Sequence, residues 1–178
     1  SGTYLESYRD NELVVIDRSA PDSDTVTSIP FGILDAGEVF RESGWPFEVK
    51  VVAAFPNAFL TADPAAKNAP GRFSATRGIA KDQGMSAFAA RRTFREGEVD
   101  RSSAVVEVLR KDGSSFGTWL LSNVFDERFP VQEFEVDGKV YELALRFSRT
   151  YLPYRVHLDQ FTHDRYPGTE IPRNFASQ

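Results

Sequence analysis

The fold is decided by residues 132–147, which read QEFEVDGKVYELALRF. Two runs rich in strand-favouring residues flank Asp137-Gly138, a dipeptide typical of two-residue hairpin turns. From Tyr141 to Phe147 every second side chain is apolar, which is the period of a strand with one buried face. The stretch therefore predicts an antiparallel hairpin with one face in a core.

The same signal occurs upstream, where residues 104–110 and 116–122 flank Asp112-Gly113. About eight strands and almost no helix are predicted along the chain, which we expect to form a single domain over residues 1–178. The expected fold class is all-β: an antiparallel β-sandwich or a partly closed barrel. The remaining predicted strands lie at residues 12–17, 26–29, 47–55, 59–60 and 154–158.

Residues 61–103 show no sustained hydrophobic period and are rich in Ala, Pro, Gly, Ser and Arg. They predict one long irregular insertion between the strands. Loops of this length in a compact domain are usually functional or mobile. Inside it, residues 86–95 predict one short helix, with Ser86 as its N-cap.

Composition excludes several classes of function. The net charge of −5 argues against nucleic-acid binding by the chain as a whole. Because the sequence contains no cysteine, it excludes disulfides, thiol nucleophiles and cysteine-based metal sites. It also has no apolar run long enough to cross a membrane as a helix.

The cations cluster in one part of the insertion. Residues 67–95 carry seven Lys and Arg side chains against one acid, interleaved with Phe73, Phe88 and Phe94. Such a segment is suited to anionic lipid headgroups, propionates or an acidic partner. The alternative is a flexible, solvated loop. The residues that we expect at an interaction surface here are Arg91, Arg92 and Arg95.

The last stretch, residues 152–178, holds both histidines. Alternation places His157 on a polar strand face with Arg155 and Asp159, so an exposed local ion pair competes with a role as haem or metal ligand. His163 precedes a Pro-Gly turn and matches no metal-ligand spacing. We take His157 and His163 as the candidate cofactor-binding residues. The candidate interaction surface here comprises Arg155, Asp159, Asp164, Arg165 and Tyr166.

Motifs for catalysis are missing from the sequence. It has no GxSxG elbow, no HExxH pair and no glycine-rich phosphate loop. Paired carboxylates such as Asp159 and Asp164 could act as acid and base, but any acidic domain offers such pairs, so the signal is weak. We therefore assign no catalytic residue and no metal site, and rank a hydrolase last.

Several pieces together resemble one family, the extracytoplasmic region of ResB-like (Ccs1-type) cytochrome c biogenesis proteins. The likeness is dense at residues 141–154 (YELALRFSRTYLPY), 166–169 (YPGT) and 171–177 (IPRNFAS). The earlier pieces ELVVID (12–17), WPFEV (45–49), PNA (56–58) and GTW (117–119) fit too. The likeness therefore covers most of the chain, and is dense over residues 131–178 and loose over residues 61–103.

The resemblance implies a place in system II cytochrome c maturation. Proteins of that family act with a ResC or CcsA-type membrane partner, which delivers haem, and join haem to the Cys-x-x-Cys-His motif of apocytochrome c. The chain would then be a non-catalytic docking domain on the extracytoplasmic (periplasmic) face of the cytoplasmic membrane, anchored by helices outside this sequence. The family associates haem-ligating histidines with membrane segments, so the resemblance gives neither His157 nor His163 that role.

A second hypothesis comes from the fold class alone. A barrel of about eight strands can enclose a ligand, so the domain is alternatively a carrier of haem or another small hydrophobic molecule. Under this hypothesis the domain itself would bind haem.

Overall fold

A computed structural model describes residues 3–151 of the chain. A five-residue helix, α1 Gly78–Asp82, and two short 3-10 turns, Phe31–Ile33 and Pro64–Asn68, interrupt an otherwise β structure. The strands are β1 Tyr4–Asp17, β2 Thr25–Pro30, β3 Val39–Phe40, β4 Phe47–Phe55, β5 Ala58–Thr61, β6 Ser86–Ala89, β7 Ser103–Arg110, β8 Ser115–Ser122, β9 Gln132–Val136 and β10 Lys139–Tyr151.

Within residues 3–151, the strands form two four-stranded antiparallel sheets and one small hairpin sheet. Sheet A has the order β2-β1-β10-β9 and sheet B the order β3-β4-β7-β8, while β5 pairs only with β6. In the part of the chain that the structure describes, the sheets do not close on each other, so this part is a sandwich and not a barrel. The all-β, antiparallel prediction is confirmed.

Aromatic rings fill the space between sheets A and B. The ring of Phe47 on β4 packs edge-on against Phe134 on β9 and Tyr141 on β10, with centroids 4.9 and 4.7 Å apart. Trp119 on β8 lies 5.6 Å from Phe134. The alternation expected from Tyr141 onwards is confirmed, because Tyr141, Leu143 and Leu145 all belong to this core. Burial of each such side chain stabilises the fold by about 1.5–3 kcal/mol.

The predicted hairpin over residues 132–147 is also confirmed. β9 and β10 are joined by Asp137 and Gly138 alone, with φ of +52° and +75°. Two successive positive φ values define a type I′ turn, whose twist matches that of the strands it joins. The Asp112-Gly113 hairpin joins β7 to β8 as expected.

A β-bulge at Val52 makes β4 change face. Val51 pairs with Val106 and Ala53 with Val105, so Val52 is an extra residue in the ladder. Phe47, Val49 and Val51 therefore point into the core between the sheets, whereas Ala53 and Phe55 point to the outer face of sheet B. One inserted residue thus gives β4 an apolar contact on both sides of its sheet.

The insertion over residues 61–103 folds onto that outer face. Ala58 and Leu60 of β5, Ala80 of α1 and Ala87 of β6 form a second core with Phe55. The predicted helix over residues 86–95 is wrong: Ser86–Ala89 is strand β6, paired with β5, and the chain then enters a loop. Backbone pairing and packing on sheet B outweigh the helix propensity of its alanines.

Gly78 allows the insertion to contact sheet A closely. The backbone N–H of Ile79 donates to Oε1 of Gln132 at 3.0 Å, and Nε2 of Gln132 donates to the carbonyl of Leu120 at 2.8 Å. Gly78 has φ +72°, and a Cβ there would lie 2.1 Å from Oε1 of Gln132. Only glycine allows this approach of α1 to β8 and β9.

Glu142 makes the stability of the sandwich depend on pH. Its side chain is 13% exposed on the outer face of sheet A, where it faces Glu133 across the β9–β10 ladder. Burial, and then the charge of Glu133, raise the pKa of Glu142 above the ordinary value of 4.5, although Arg18, 2.5 Å away, acts in the opposite direction. The folded state thus holds this proton more tightly than the unfolded chain.

We expect Glu142→Gln to raise the free energy of unfolding at neutral pH. Because the folded-state pKa is raised, the wild type loses stability as pH rises from the unfolded pKa through the folded pKa, and the variant avoids that loss. The gain should vanish near about pH 3, where the carboxyl is protonated in both states. Urea unfolding at the two pH values measures it, with the exposed Glu135→Gln as control. A variant less stable than wild type at neutral pH would show that the Arg18 ion pair dominates.

Candidate functional site

The described residues include only part of the predicted site. The candidates His157, His163, Arg155, Asp159, Asp164, Arg165 and Tyr166 lie outside the described residues. Arg91, Arg92 and Arg95 are described, and all three lie on one exposed loop after β6. Two features at these arginines are candidate binding sites: a cleft at one end of the sandwich, and the loop that carries the arginines.

The end cleft opens where the two sheets separate, and has a volume of about 660 Å³. Clefts of roughly 300–1,000 Å³ are typical of ligand sites. Its floor is polar and buried: Asn11, Glu12, Ser28 and Ser102 are each at most 9% exposed. Five segments distant in sequence line it. They are residues 9–12, 28–35 and 148–150, the end of β4 at Ala54 and Pro56, and the segment that holds Arg92 and Ser102.

The carboxylate of Glu12 organises the floor. Its Oε2 accepts hydrogen bonds from Oγ of Ser28 at 3.0 Å and from Nε of Arg146 at 3.2 Å, while its Oε1 accepts one from the backbone N–H of Arg149 at 3.0 Å. A buried charge is tolerated when it is paired and hydrogen-bonded in this way. Glu12 therefore holds β1, β2 and β10 together beneath the cleft.

A large bulge in β1 forms one rim of the cleft. Glu6 pairs with Arg149 and Asn11 with Phe147, so four residues of β1 loop out opposite one residue of β10. Oγ of Ser7 accepts from the backbone N–H of Asp10 at 3.0 Å and closes the turn. Bulges are frequent beside functional sites because they redirect side chains. This one places Arg9 and Asp10 at the cleft.

The rim carries three arginines: Arg9, Arg92 and Arg149. Arg92 pairs with Asp100, its Nε 3.2 Å from Oδ2. The guanidinium of Arg149 lies 4.2 Å from the ring centre of Tyr4, with its Nε 3.6 Å from Oε2 of Glu6. Arg9 is exposed at the rim. The apolar wall opposite includes Phe31 and Leu34. The cleft thus offers cations, hydrogen-bonding groups and apolar surface together.

The arginine loop, residues 91–101, is closed at its base by Asn57. Nδ2 of Asn57 donates to the carbonyl of Arg91 at 2.6 Å, and Oδ1 accepts from the backbone N–H of Arg101 at 2.8 Å. One side chain therefore ties both ends of the loop, as in an Ω-loop.

Further contacts give the arginine loop a defined internal structure. Oδ1 of Asp100 accepts from the backbone N–H of Thr93 at 2.7 Å, and the hydroxyl of Thr93 bonds to Glu98. The ring of Phe94 is 89% exposed, with the Arg92 guanidinium 6.0 Å from its centre. A loop held at its base and braced inside thus presents an aromatic ring to solvent.

The sequence signals for these features were only partial. Sequence reasoning missed Glu12, although an acid directly before the apolar run LVVI is a signal that could have found it. Arg92 was predicted at an interaction surface. Nothing local marks Arg9, Ser28, Ser102 and Arg149 as neighbours. They meet only because β1, β2, β7 and β10 pair and pack as they do.

Within residues 3–151, no group of three or more His, Cys, Asp or Glu side chains is placed to hold a metal ion. In the same part of the chain, no helix has the length and apolarity needed to span a membrane. No family model, curated protein or solved structure matches the chain.

We expect Asn57→Ala to loosen the arginine loop. The change removes two hydrogen bonds at the loop base, so it should lower the free energy of unfolding by about 1–2 kcal/mol. It should also speed tryptic cleavage after Arg91, Arg92 and Arg95. Limited proteolysis and urea unfolding measure the two effects, with the exposed Asn68→Ala as matched control. Unchanged cleavage in Asn57→Ala would mean that other contacts fix the loop.

Proposed function

We propose that the chain is the non-catalytic extracytoplasmic domain of a ResB-like protein, which docks apocytochrome c, the ResC/CcsA-type haem-delivering partner, or both, during haem attachment. The resemblance in residues 141–154 and 166–177 suggests the family. The end cleft is the observation that carries the docking role. In this proposal the domain lies on the periplasmic face of the cytoplasmic membrane, anchored by helices outside this sequence.

The composition of the cleft suits an extended polypeptide. A bound peptide backbone presents N–H and C=O groups that must find partners when buried. The floor offers Asn11, Ser28 and Ser102, and the rim offers Asp10 and its three arginines. Phe31 and Leu34 supply apolar contact for alternate side chains. A segment of apocytochrome c, extended before haem attachment, is the occupant that we propose.

Arg92 connects the cleft with the interaction surface inferred from sequence. It lines the cleft and also belongs to the arginine loop. A partner that lies in the cleft therefore reaches the loop without a second binding site. Arg91 and Arg95 are exposed beside it, where charges chiefly influence the association rate.

A ligand carrier is the second candidate, and the same cleft favours it. The space between the sheets is filled by Phe40, Phe47, Trp119 and Tyr141, each buried almost completely. A small hydrophobic ligand would therefore occupy the end cleft. There, Arg9, Arg92 and Arg149 suit the carboxylates of a molecule such as haem.

Replacing both Arg9 and Arg92 by Ala tests the docking role. Each charged hydrogen bond contributes roughly 1.5–3 kcal/mol, so the double variant should bind a fluorescent peptide spanning the Cys-x-x-Cys-His region, with Ser for Cys, at least about tenfold more weakly. The same changes in the full-length parent should lower the yield of mature cytochrome c. Lys111→Ala, at the opposite end of β7, is the matched control. Wild-type affinity and wild-type maturation in the double variant would contradict the proposal.

Haem titration separates the two candidates. A Soret shift with the wild-type domain that disappears in the double variant favours the carrier. No shift at micromolar haem, together with peptide binding, favours docking.

A further inference from the structure

Charge is divided unequally between two parts of the sequence. Residues 67–101 carry eight Lys and Arg side chains against four Asp and Glu, whereas the rest of the chain carries 13 against 22. The basic part therefore has a net charge of +4 and the remainder −9. A charge asymmetry of this size orients a protein in an electric field near a charged surface.

In the folded domain, the basic part of the sequence lies on one side of the molecule. Ala80, Ala87 and Met85 of the basic part pack on the outer face of sheet B, in the second core. The basic part is therefore an added layer on the side of sheet B that faces away from sheet A. Its cations lie at the outside of the sandwich, and Arg91, Arg95 and Arg101 are exposed.

The same layer exposes aromatic rings. Ala58, Leu60 and Ala87 face the second core, so alternation turns Phe59 and Phe88 the other way. The two rings pair across the hairpin with centroids 6.4 Å apart, and Phe59 is 54% exposed. Phe94 follows on the arginine loop at 89% exposed.

The name basic layer is used for β5 together with residues 67–101. We propose that the basic layer binds the surface of an anionic phospholipid bilayer, with Phe94 inserted at the boundary of headgroups and acyl chains. Exposed aromatic side chains flanked by arginines are typical of interfacial membrane contacts. Each Lys or Arg near an anionic membrane adds to the attraction, and the acidic remainder of the chain is repelled. This binding is independent of what occupies the end cleft.

The arrangement favours a bilayer over a protein partner. The cations extend over the whole layer, from Lys67 and Lys81 to Arg101, and do not surround a single pocket. Phe94 stands on a braced loop with most of its ring in water, which suits insertion into a fluid phase. A contact made by dispersed cations and one inserted ring does not require the shape complementarity of a protein–protein interface.

Vesicle binding of the 178-residue chain tests the proposal. The probe is Phe94→Trp, because Trp45 and Trp119 are 8% and 1% exposed and respond little to a surface event. Vesicles of phosphatidylcholine with about a third phosphatidylglycerol should shift its emission to the blue, whereas phosphatidylcholine alone should not. Added salt at about 0.5 M should reverse the shift, since screening removes the attraction.

Two variants and one control identify the side chains that bind the membrane. Phe94→Asp and the double variant Arg91→Glu, Arg95→Glu should each reduce sedimentation with anionic vesicles by about tenfold or more. The double variant Lys111→Glu, Lys139→Glu makes the same change in net charge at the far hairpin turns and should bind like wild type. Equal loss in this control, or no binding of wild type to anionic vesicles, would overturn the proposal and leave the exposed ring to a protein contact.

Discussion

The change of face in β4 is the constraint on which the rest of the structure depends. With the extra residue Val52, the first half of β4 supplies Phe47, Val49 and Val51 to the core between the sheets, and the second half supplies Ala53 and Phe55 to the opposite side. Sheet B therefore has an apolar outer face. The insertion covers that face, so the basic layer is part of the folded body and its arginines have defined places.

The elements that could be predicted from the sequence are those that short residue patterns determine. Asp137-Gly138 marks its turn because both residues must take positive φ, and the alternation from Tyr141 marks the face that meets Phe47. The helix expected over residues 86–95 failed because β6 pairs with β5, a contact that the local sequence does not show. The end cleft was equally hidden, since Glu12, Ser28 and Arg149 meet only through sheet pairing.

In our proposal, the end cleft and the basic layer have different roles in docking. The end cleft has a buried polar floor fixed by Glu12, so its shape is set before a partner arrives. The basic layer is positive, so in our proposal it would orient the domain and assist encounter. Arg92 lines the cleft and belongs to the arginine loop, and Asp100 holds it in place. In our proposal, a chain docked in the cleft therefore lies next to the side that faces the membrane.

The most direct test is a photo-crosslink from the cleft during cytochrome c maturation. A photoreactive amino acid at Thr150, which is exposed and lines the cleft, would be placed in the full-length parent, in cells that accumulate apocytochrome c. The same amino acid at Lys111 is the control. The account predicts a crosslink to apocytochrome c from position 150 and none from position 111. A parent that supports maturation yet gives no crosslink from position 150, or equal crosslinks from both, would contradict it.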